Sequence, residues 1–238
     1  VEKSYSISFK VGGKTVTLSG ISKGSGMIRP DMATMLSFIV SDIGASSDEL
    51  QDCLIIAVNQ SFNRITVDGD TSTNDACTLS ATNQSKVKLK DCKNEFQLAL
   101  NELTKVLAQM IVKDGEGATK FVEIKVGGLD SNEECLEVAY TIAHSPLVKT
   151  ALFASDANWG RILAAVGRSK VDGMSINNID VFFNNIHPIY IFVSQFFILL
   201  AIYFEGSEKL RYLNLIKDNI IFIKNNYPFI AIGFRFKH

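Results

Sequence analysis

The chain has 238 residues, 47% hydrophobic and 21% charged, an ordinary globular composition for one large domain or two small ones. A chain of this length removes roughly 70–75% of its unfolded surface from water on folding. With 24 basic against 25 acidic residues, a formal net charge of −1 and no run of five or six like charges, nothing favours nucleic acid as a partner. Its four cysteines, Cys53, Cys77, Cys92 and Cys135, show neither CxxC nor metal-ligand spacing, so no metal and no disulfide framework is expected and a reducing compartment is the default.

The chain opens at Val1 without an initiator methionine, a basic n-region or an apolar h-region, and reads as a mature form or a fragment with no visible secretory signal. Tyr5, Ile7, Phe9 and Val11 alternate with Ser6, Ser8 and Lys10, and Gly12-Gly13 then offers a tight turn into KTVTLSG, which predicts a hairpin. After the glycine- and proline-containing stretch KGSGMIRPDMAT comes MLSFIVSD, which reads as a buried strand. Ser46 and Glu49 have the form of a capping box, and Leu50, Leu54, Ala57, Val58 and Phe62 follow at helical spacing, predicting a helix over about 47–62.

Asn94 with Gln97 predicts the start of a second helix, which carries Phe96, Leu100, Leu103, Leu107 and Met110 on one face and stops near Gly115. KFVEIKV alternates as a strand. Ser131 with Glu134 caps a third helix, Ser145-Pro146 opens a fourth, and Asn158 caps a short fifth ending at Gly167. Strand pairs mixed with helices predict an α/β (α+β) sandwich rather than a regular βαβ winding. Beyond about Asn184 the composition shifts to Phe, Ile, Asn, Lys and Tyr, and half of all phenylalanines lie after Ile186, so this tail is left without a fold assignment. Within it, residues 189–203 approach membrane-span character, but they are too few and include Ser194 and Gln195, so a membrane span is not favoured.

Catalytic residues must come from a histidine-poor inventory. Up to the tail the only histidine is His144, read as a helix-terminal residue near backbone carbonyls, which leaves no Ser-His-Asp, Cys-His or histidine-rich metal arrangement. DGDTSTND, residues 68–75, starts like a calcium loop but has Thr73 and Leu79 where the glycine and glutamate belong; it reads as a turn rich in side-chain-to-backbone bonds that caps the following segment. In KDGEGATKF, Glu116 stands between two glycines, which suits a presented carboxylate and an ordinary helix exit equally. Trp159 is read as an indole anchoring the core at a helix start, beside Arg161, which has the chemistry to hold a carboxylate.

Thr34 remains. Its hydroxyl sits next to the Ala33 carbonyl, so in a strained loop it could attack that carbonyl and let water cut the chain. The α-amine then freed at Thr34, with a pKa of about 7.7–8.0, could serve as the base for its own hydroxyl. By themselves the residues rank a buried threonine at a strand start first.

GISKGSGMIRPDMATMLSFIVSD, ITVDGDTSTND, KDGEGATKFVEI and SPLVKTALFASDANWGRILAAVGR, in that order over about residues 5–185, together resemble the ornithine acetyltransferase family, the bifunctional glutamate N-acetyltransferases of arginine biosynthesis. The resemblance implies a sandwich of the DmpA and ornithine acetyltransferase type, incomplete here, and self-cleavage between Ala33 and Thr34 with Thr34 as catalytic nucleophile. It implies substrate binding by Lys23, Thr34 and Glu116. The reaction implied moves acetyl from N2-acetylornithine to glutamate, giving ornithine and N-acetylglutamate through an acetyl-Thr34 intermediate. No cofactor is implied, though acetyl-CoA is an alternative acetyl donor in some members; an α2β2 assembly and a cytoplasmic location, or the mitochondrial matrix in a fungal member, follow the family pattern.

On this basis residues 1–33 are the remnant of an α-subunit segment, 34–185 a β-subunit-like catalytic domain, and 186–238 an unassigned tail. The family's oxyanion-hole Thr-Gly pair belongs to a segment before residue 1, and its closing Asn and Ser/Thr have no match after about Ile186, so the chain is read as truncated or frameshifted. A weak or inactive enzyme is therefore expected of this chain alone, since losing one oxyanion donor typically costs ~10²–10³ in turnover. The other readings are an inactive or partner-dependent module and an N-terminal-nucleophile aminopeptidase.

Overall fold

A computed structural model describes residues 1–29, 35–71, 76–172, 174, 179–183, 220–223 and 229–235, and divides the chain into two compact units, Val1–Ala118 and Thr119–His238.

In the first unit, β1 (Ser4–Val11) and β2 (Lys14–Lys23) form the antiparallel hairpin expected from their alternation. Its turn depends on Gly12 and Gly13, both at positive φ of 54° and 81°, where a side chain is disfavoured. β3 (Leu36–Ser41) pairs antiparallel with β2, and β5 (Ala76–Ala81) pairs parallel with β3, giving a four-stranded sheet in the order β1-β2-β3-β5. The short strand β4 (Ile65–Thr66) falls between β3 and β5 in the chain. The expectation of a buried β3 is corrected: Ser37, Ile39 and Ser41 are buried, whereas Phe38 and Val40 are each 50% exposed. Only one face of the strand meets the helices, because period-two side chains cannot all point the same way.

That covered face packs on two helices. α1 (Ser47–Gln60) begins with the predicted Ser46–Glu49 capping box and ends two residues before the predicted limit, where Phe62–Arg64 tightens into a 3-10 turn. α2 (Lys93–Lys113) buries Phe96, Leu100, Leu103, Leu107 and Ile111 at helical spacing. Each such fully buried side chain is worth roughly 1.5–3 kcal/mol. The Asn94 start is corrected. A 3-10 turn at Leu89–Asp91 leads directly into the helix, so Cys92 is the N-cap, without a side-chain cap. Gln97, freed from capping, donates to the Cys53 carbonyl and Asn101. Gly20 lets α2 approach the sheet: a Cβ there would lie 2.9 Å from Leu107 Cδ1 and 3.0 Å from Leu103 Cδ2.

In the second unit, β6 (Thr119–Lys125) is central. β8 (Ile220–Ile223) runs parallel on one side of it and β9 (Phe229–Arg235) antiparallel on the other, and β7 (Val181–Phe183) adds antiparallel to β8. Two stretches of the tail left without a fold assignment are therefore strands of this sheet. α3 (Asn132–Ala143), α4 (Pro146–Phe153) and α5 (Trp159–Val166) carry the predicted Ser131–Glu134 box, Ser145 cap with Pro146, and Asn158 cap. Val122, Ile124, Val138, Ile142, Leu152, Ile162 and Phe183 form their shared core. Trp159 corrects a second expectation: 42% exposed, it does not anchor that core. Residues 189–203 lie outside the described residues, and among those described no helix is long and apolar enough to cross a membrane.

Candidate functional site

Three of the sequence blocks that the motif analysis singled out converge in the first unit. The loop after β2 is the hub. Lys23, the last residue of β2, is exposed, and with Gly24, Ser25, Gly26, Lys3 and Asp114 it lines a cavity of about 580 Å³. Gly24 at φ 153° and Met27 at φ 58° turn the backbone through conformations that L residues rarely adopt.

The exit of α2 meets this loop. Gly115 is buried, Gly117 has φ 69°, and between them the Glu116 N–H donates to the Ser25 carbonyl at 2.6 Å. The Glu116 carboxylate lies against Gly26, where an added Cβ would be 2.8 Å from Oε2. Lys23 and Glu116, 93 positions apart in sequence, are thus carried by two segments that touch. One step before the bend, Asp114 accepts a hydrogen bond from Lys3 Nζ at 2.6 Å, which ties the start of β1 to the end of α2. That bond from Lys3 is the main reason the Asp114 carboxyl stays below the usual carboxylate range.

The third block enters through Asp68. Its Oδ2 accepts from Met27 N at 2.6 Å, and its Oδ1 accepts from Ile28 N and from Asp70 N, each at 3.0 Å. Val67 N donates to the Ile28 carbonyl at 2.7 Å, and Thr71 Oγ1 to the Arg29 carbonyl at 3.1 Å. Sequence reading gave this turn its side-chain-to-backbone bonds but aimed them at the following segment. Among the described residues of the turn, Asp68 and Thr71 reach back about 40 residues to the loop after β2, a pairing that no local pattern announces, and residues 72–75 lie outside the described residues. Ala33 and Thr34 lie outside the described residues, but both flanks of their segment are fixed: Arg29 by Thr71, and Met35 by Ala76, whose N–H donates to the Met35 carbonyl at 3.0 Å.

Other candidates have settings of their own. Burial pushes the Cys77 thiol up to about 11, so it supplies no thiolate at neutral pH. His144 is the C-cap of α3 and packs near Tyr140 at 5.5 Å between ring centroids. Arg161 donates to the Leu147 carbonyl and to Thr150 Oγ1, which gives its guanidinium partners within the second unit. Among the described residues no group of three His, Cys, Asp or Glu side chains could hold a metal ion.

The fold and the site loops together describe an α/β protein of the kind already seen in a solved "arginine biosynthesis bifunctional protein ArgJ" of Bacillus halodurans. That structure matches with a TM-score of 0.67 and 31% identity, over 86% of this chain and 95% of the solved chain. A model described as "ArgJ family" matches residues 1–195, and the chain belongs to that family. The arginine biosynthesis bifunctional protein ArgJ of Pseudomonas fluorescens is 52% identical over 189 residues, covering 77% of this chain and 47% of that protein. Those of Pseudomonas syringae pv. tomato and Psychrobacter arcticus are 51% identical over 189 residues and 50% over 191, covering 77% and 78% of this chain and 47% of each relative. The chain spans about half the length of these curated relatives.

Proposed function

We propose that the chain carries the self-cleavage bond and part of the amino-acid pocket of an acetyltransferase acting between N2-acetylornithine and glutamate. The observation that carries this reading is the contact between the loop bearing Lys23 and the bend bearing Glu116, closed by the Glu116 N–H on Ser25 and by the Glu116 carboxylate against Gly26. A cation and a carboxylate on adjoining segments suit a zwitterionic amino acid, with Lys23 facing its carboxylate and Glu116 an ammonium.

In this reading cleavage at Ala33–Thr34 frees the Thr34 α-amine. That amine takes the proton from the Thr34 hydroxyl as Oγ attacks the acetyl carbonyl of N2-acetylornithine. The amide C–N bond then breaks, the departing nitrogen takes the proton, and ornithine leaves an acetyl ester on Thr34. The neutral glutamate amine attacks the ester, the Thr34 α-amine takes its proton and passes it to Oγ as the C–O bond to Thr34 breaks, and N-acetylglutamate leaves with the Thr34 hydroxyl restored. Acetyl-CoA is a second donor for the same ester, and no other cofactor enters.

Residues 1–33 become the end of an α segment and 34–185 a catalytic β segment, followed by the 186–238 tail. An α2β2 assembly in the cytoplasm follows from the same reading. Two lengths support division of the precursor: the curated relatives are about twice as long as the match to this chain, whereas the solved chain is covered almost entirely by it.

Because the chain spans 47% of its relatives, a partner-dependent half is the second reading. The test is transfer of labelled acetyl from N2-acetylornithine to glutamate, by the chain alone and with the upstream half of the Pseudomonas fluorescens relative added. Transfer only in the mixture, abolished by Thr34→Ala, is the result expected. Transfer unaffected by Thr34→Ala would overturn the nucleophile assignment, and full-rate transfer by the chain alone would overturn the dependence on a second half.

A further inference from the structure

A zwitterion is read at both ends when the groups that meet those ends keep a set span. Neither Lys23 nor Glu116 fixes that span by itself. Lys23 is an exposed side chain at the end of β2, and Glu116 sits between Gly115 and Gly117, the latter at φ 69°, in a bend with little stiffness of its own. Lys3 reaches the backbone of both segments. Its carbonyl accepts from the Ser22 N–H at 2.9 Å, directly before Lys23. Its Nζ donates to Asp114 Oδ2 at 2.6 Å, two residues before Glu116.

Stability alone does not account for an ion pair at this place. Lys3 is 8% exposed, and a buried ion pair is often no more stabilising than apolar side chains of the same volume. Asp114 is the C-cap of α2, where a carboxylate faces the negative end of the helix dipole. Two longer bonds flank the pair: Lys3 Nζ to the Val1 carbonyl at 3.2 Å, and the Val1 ammonium to Asp114 at 3.1 Å, that ammonium being 78% exposed and so screened by solvent. What the pair has is position. Asp114 leads straight into the glycine bend, and Lys3, Lys23 and Asp114 line the same cavity.

We propose, on the reading above in which Lys23 and Glu116 meet the two charged ends of the amino acid, that Lys3 and Asp114 are positioning residues that set the span between those ends. Lys3 acts through Ser22 and the end of β2, and Asp114 through the bend that carries Glu116. The pair therefore governs selectivity for a donor that has both a carboxylate and a terminal ammonium.

The test uses the full 238-residue chain with the upstream half of the Pseudomonas fluorescens relative, native and as Lys3→Met, Asp114→Asn and the double variant. It compares kcat/KM for labelled acetyl transfer to glutamate from N2-acetylornithine and from N2-acetylnorvaline, the same donor without its terminal ammonium. Loss of folded protein lowers both values together, so their ratio reads the span and not stability. The native chain should prefer N2-acetylornithine. Each single variant should lower that preference about ten-fold, and the double variant no further than either, because both remove one tie.

A preference that survives Lys3→Met and Asp114→Asn but collapses in Glu116→Gln overturns the proposal and leaves the reading of the pocket intact. A native chain without transfer, or one whose preference survives Glu116→Gln, overturns both. Should Lys3→Met fail to fold by its thermal transition, Asp114→Asn decides: a native ratio overturns the proposal, and a fallen ratio upholds it.

Discussion

Each unit ties down irregular backbone with charged side chains, and each uses both ends of the peptide group. In the first unit the Asp68 carboxylate holds Met27 and Ile28 and Glu49 holds Ser46, while Arg64 donates to the Asn59 carbonyl. In the second, Glu134 holds Asp130 and Ser131, while Lys120 donates to Leu152 and to the Ser155 hydroxyl, and Arg161 to Leu147 and Thr150. The ties of the second unit are explained by stability alone. α4 and α5 have eight residues each, too short to persist unaided, and Lys120 and Arg161 add bonds to the Leu152 and Leu147 carbonyls of α4. Asp68 serves neither a helix nor a strand. It joins two loops about 40 residues apart, one of them in a left-handed turn, at the approach to the bond proposed to break. The ties at Lys120 and Arg161 should matter to folding, and the Asp68 tie to the loop after β2.

The largest effect should come from neither kind of tie. Phe96→Ala empties a fully buried site under the first sheet and should cost about 3–5 kcal/mol in denaturant unfolding, taking the site loops with it. Lys120→Met should cost about 1–3 kcal/mol, because it removes the charged donor that bridges the Leu152 carbonyl and the Ser155 hydroxyl. Trp159, in α5, reports that unfolding by fluorescence, and the rate of cleavage should not change.

Lys120 also gives this half a pH signature. Burial holds its ammonium below the usual lysine value, so between the folded and unfolded values the unfolded chain binds more protons and stability rises with pH. Lys120→Met should flatten that alkaline rise. Asp114→Asn should do the corresponding thing at the acid end of the first unit. The carboxyl is held low chiefly by Lys3, so its contribution is present above the unfolded carboxylate value and is lost as pH falls through the folded one. Removing it should flatten the acid limb of a stability curve. Gly26→Ala should change stability least, by about 0.5 kcal/mol or less, because the atom it meets is the movable end of Glu116. Binding of labelled N2-acetylornithine to the chain supplied with the upstream half should nonetheless weaken, separating a site effect from a folding one.

Much of the local structure was legible because it is written in short-range patterns. The Ser46–Glu49 and Ser131–Glu134 boxes, the Pro146 start and the glycine hairpin each depend on residues within four positions of one another. What was misread depends on neighbours far away in sequence. Cys92 begins α2 because a 3-10 turn runs into it, β3 leaves Phe38 and Val40 exposed because helices cover only one face, and Trp159 sits outside the core that its size suggested. The site divides in the same way. Lys23 and Glu116 were singled out by motif, but their adjacency rests on Ser25 and Gly26, and the reach of Asp68 to Met27 has no signature within its own block. β8 and β9, in a tail left without a fold assignment, are Ile- and Phe-rich segments that suit strands, but their pairing partners have no signature within the tail itself.

The most direct measurement is the denatured mass of the purified chain. The account predicts two species, residues 1–33 and a fragment whose first residue is Thr34, in equal amounts and absent from Thr34→Ala. A single intact mass that persists in the folded native chain would contradict the claim that these loops are built around a bond that cuts itself.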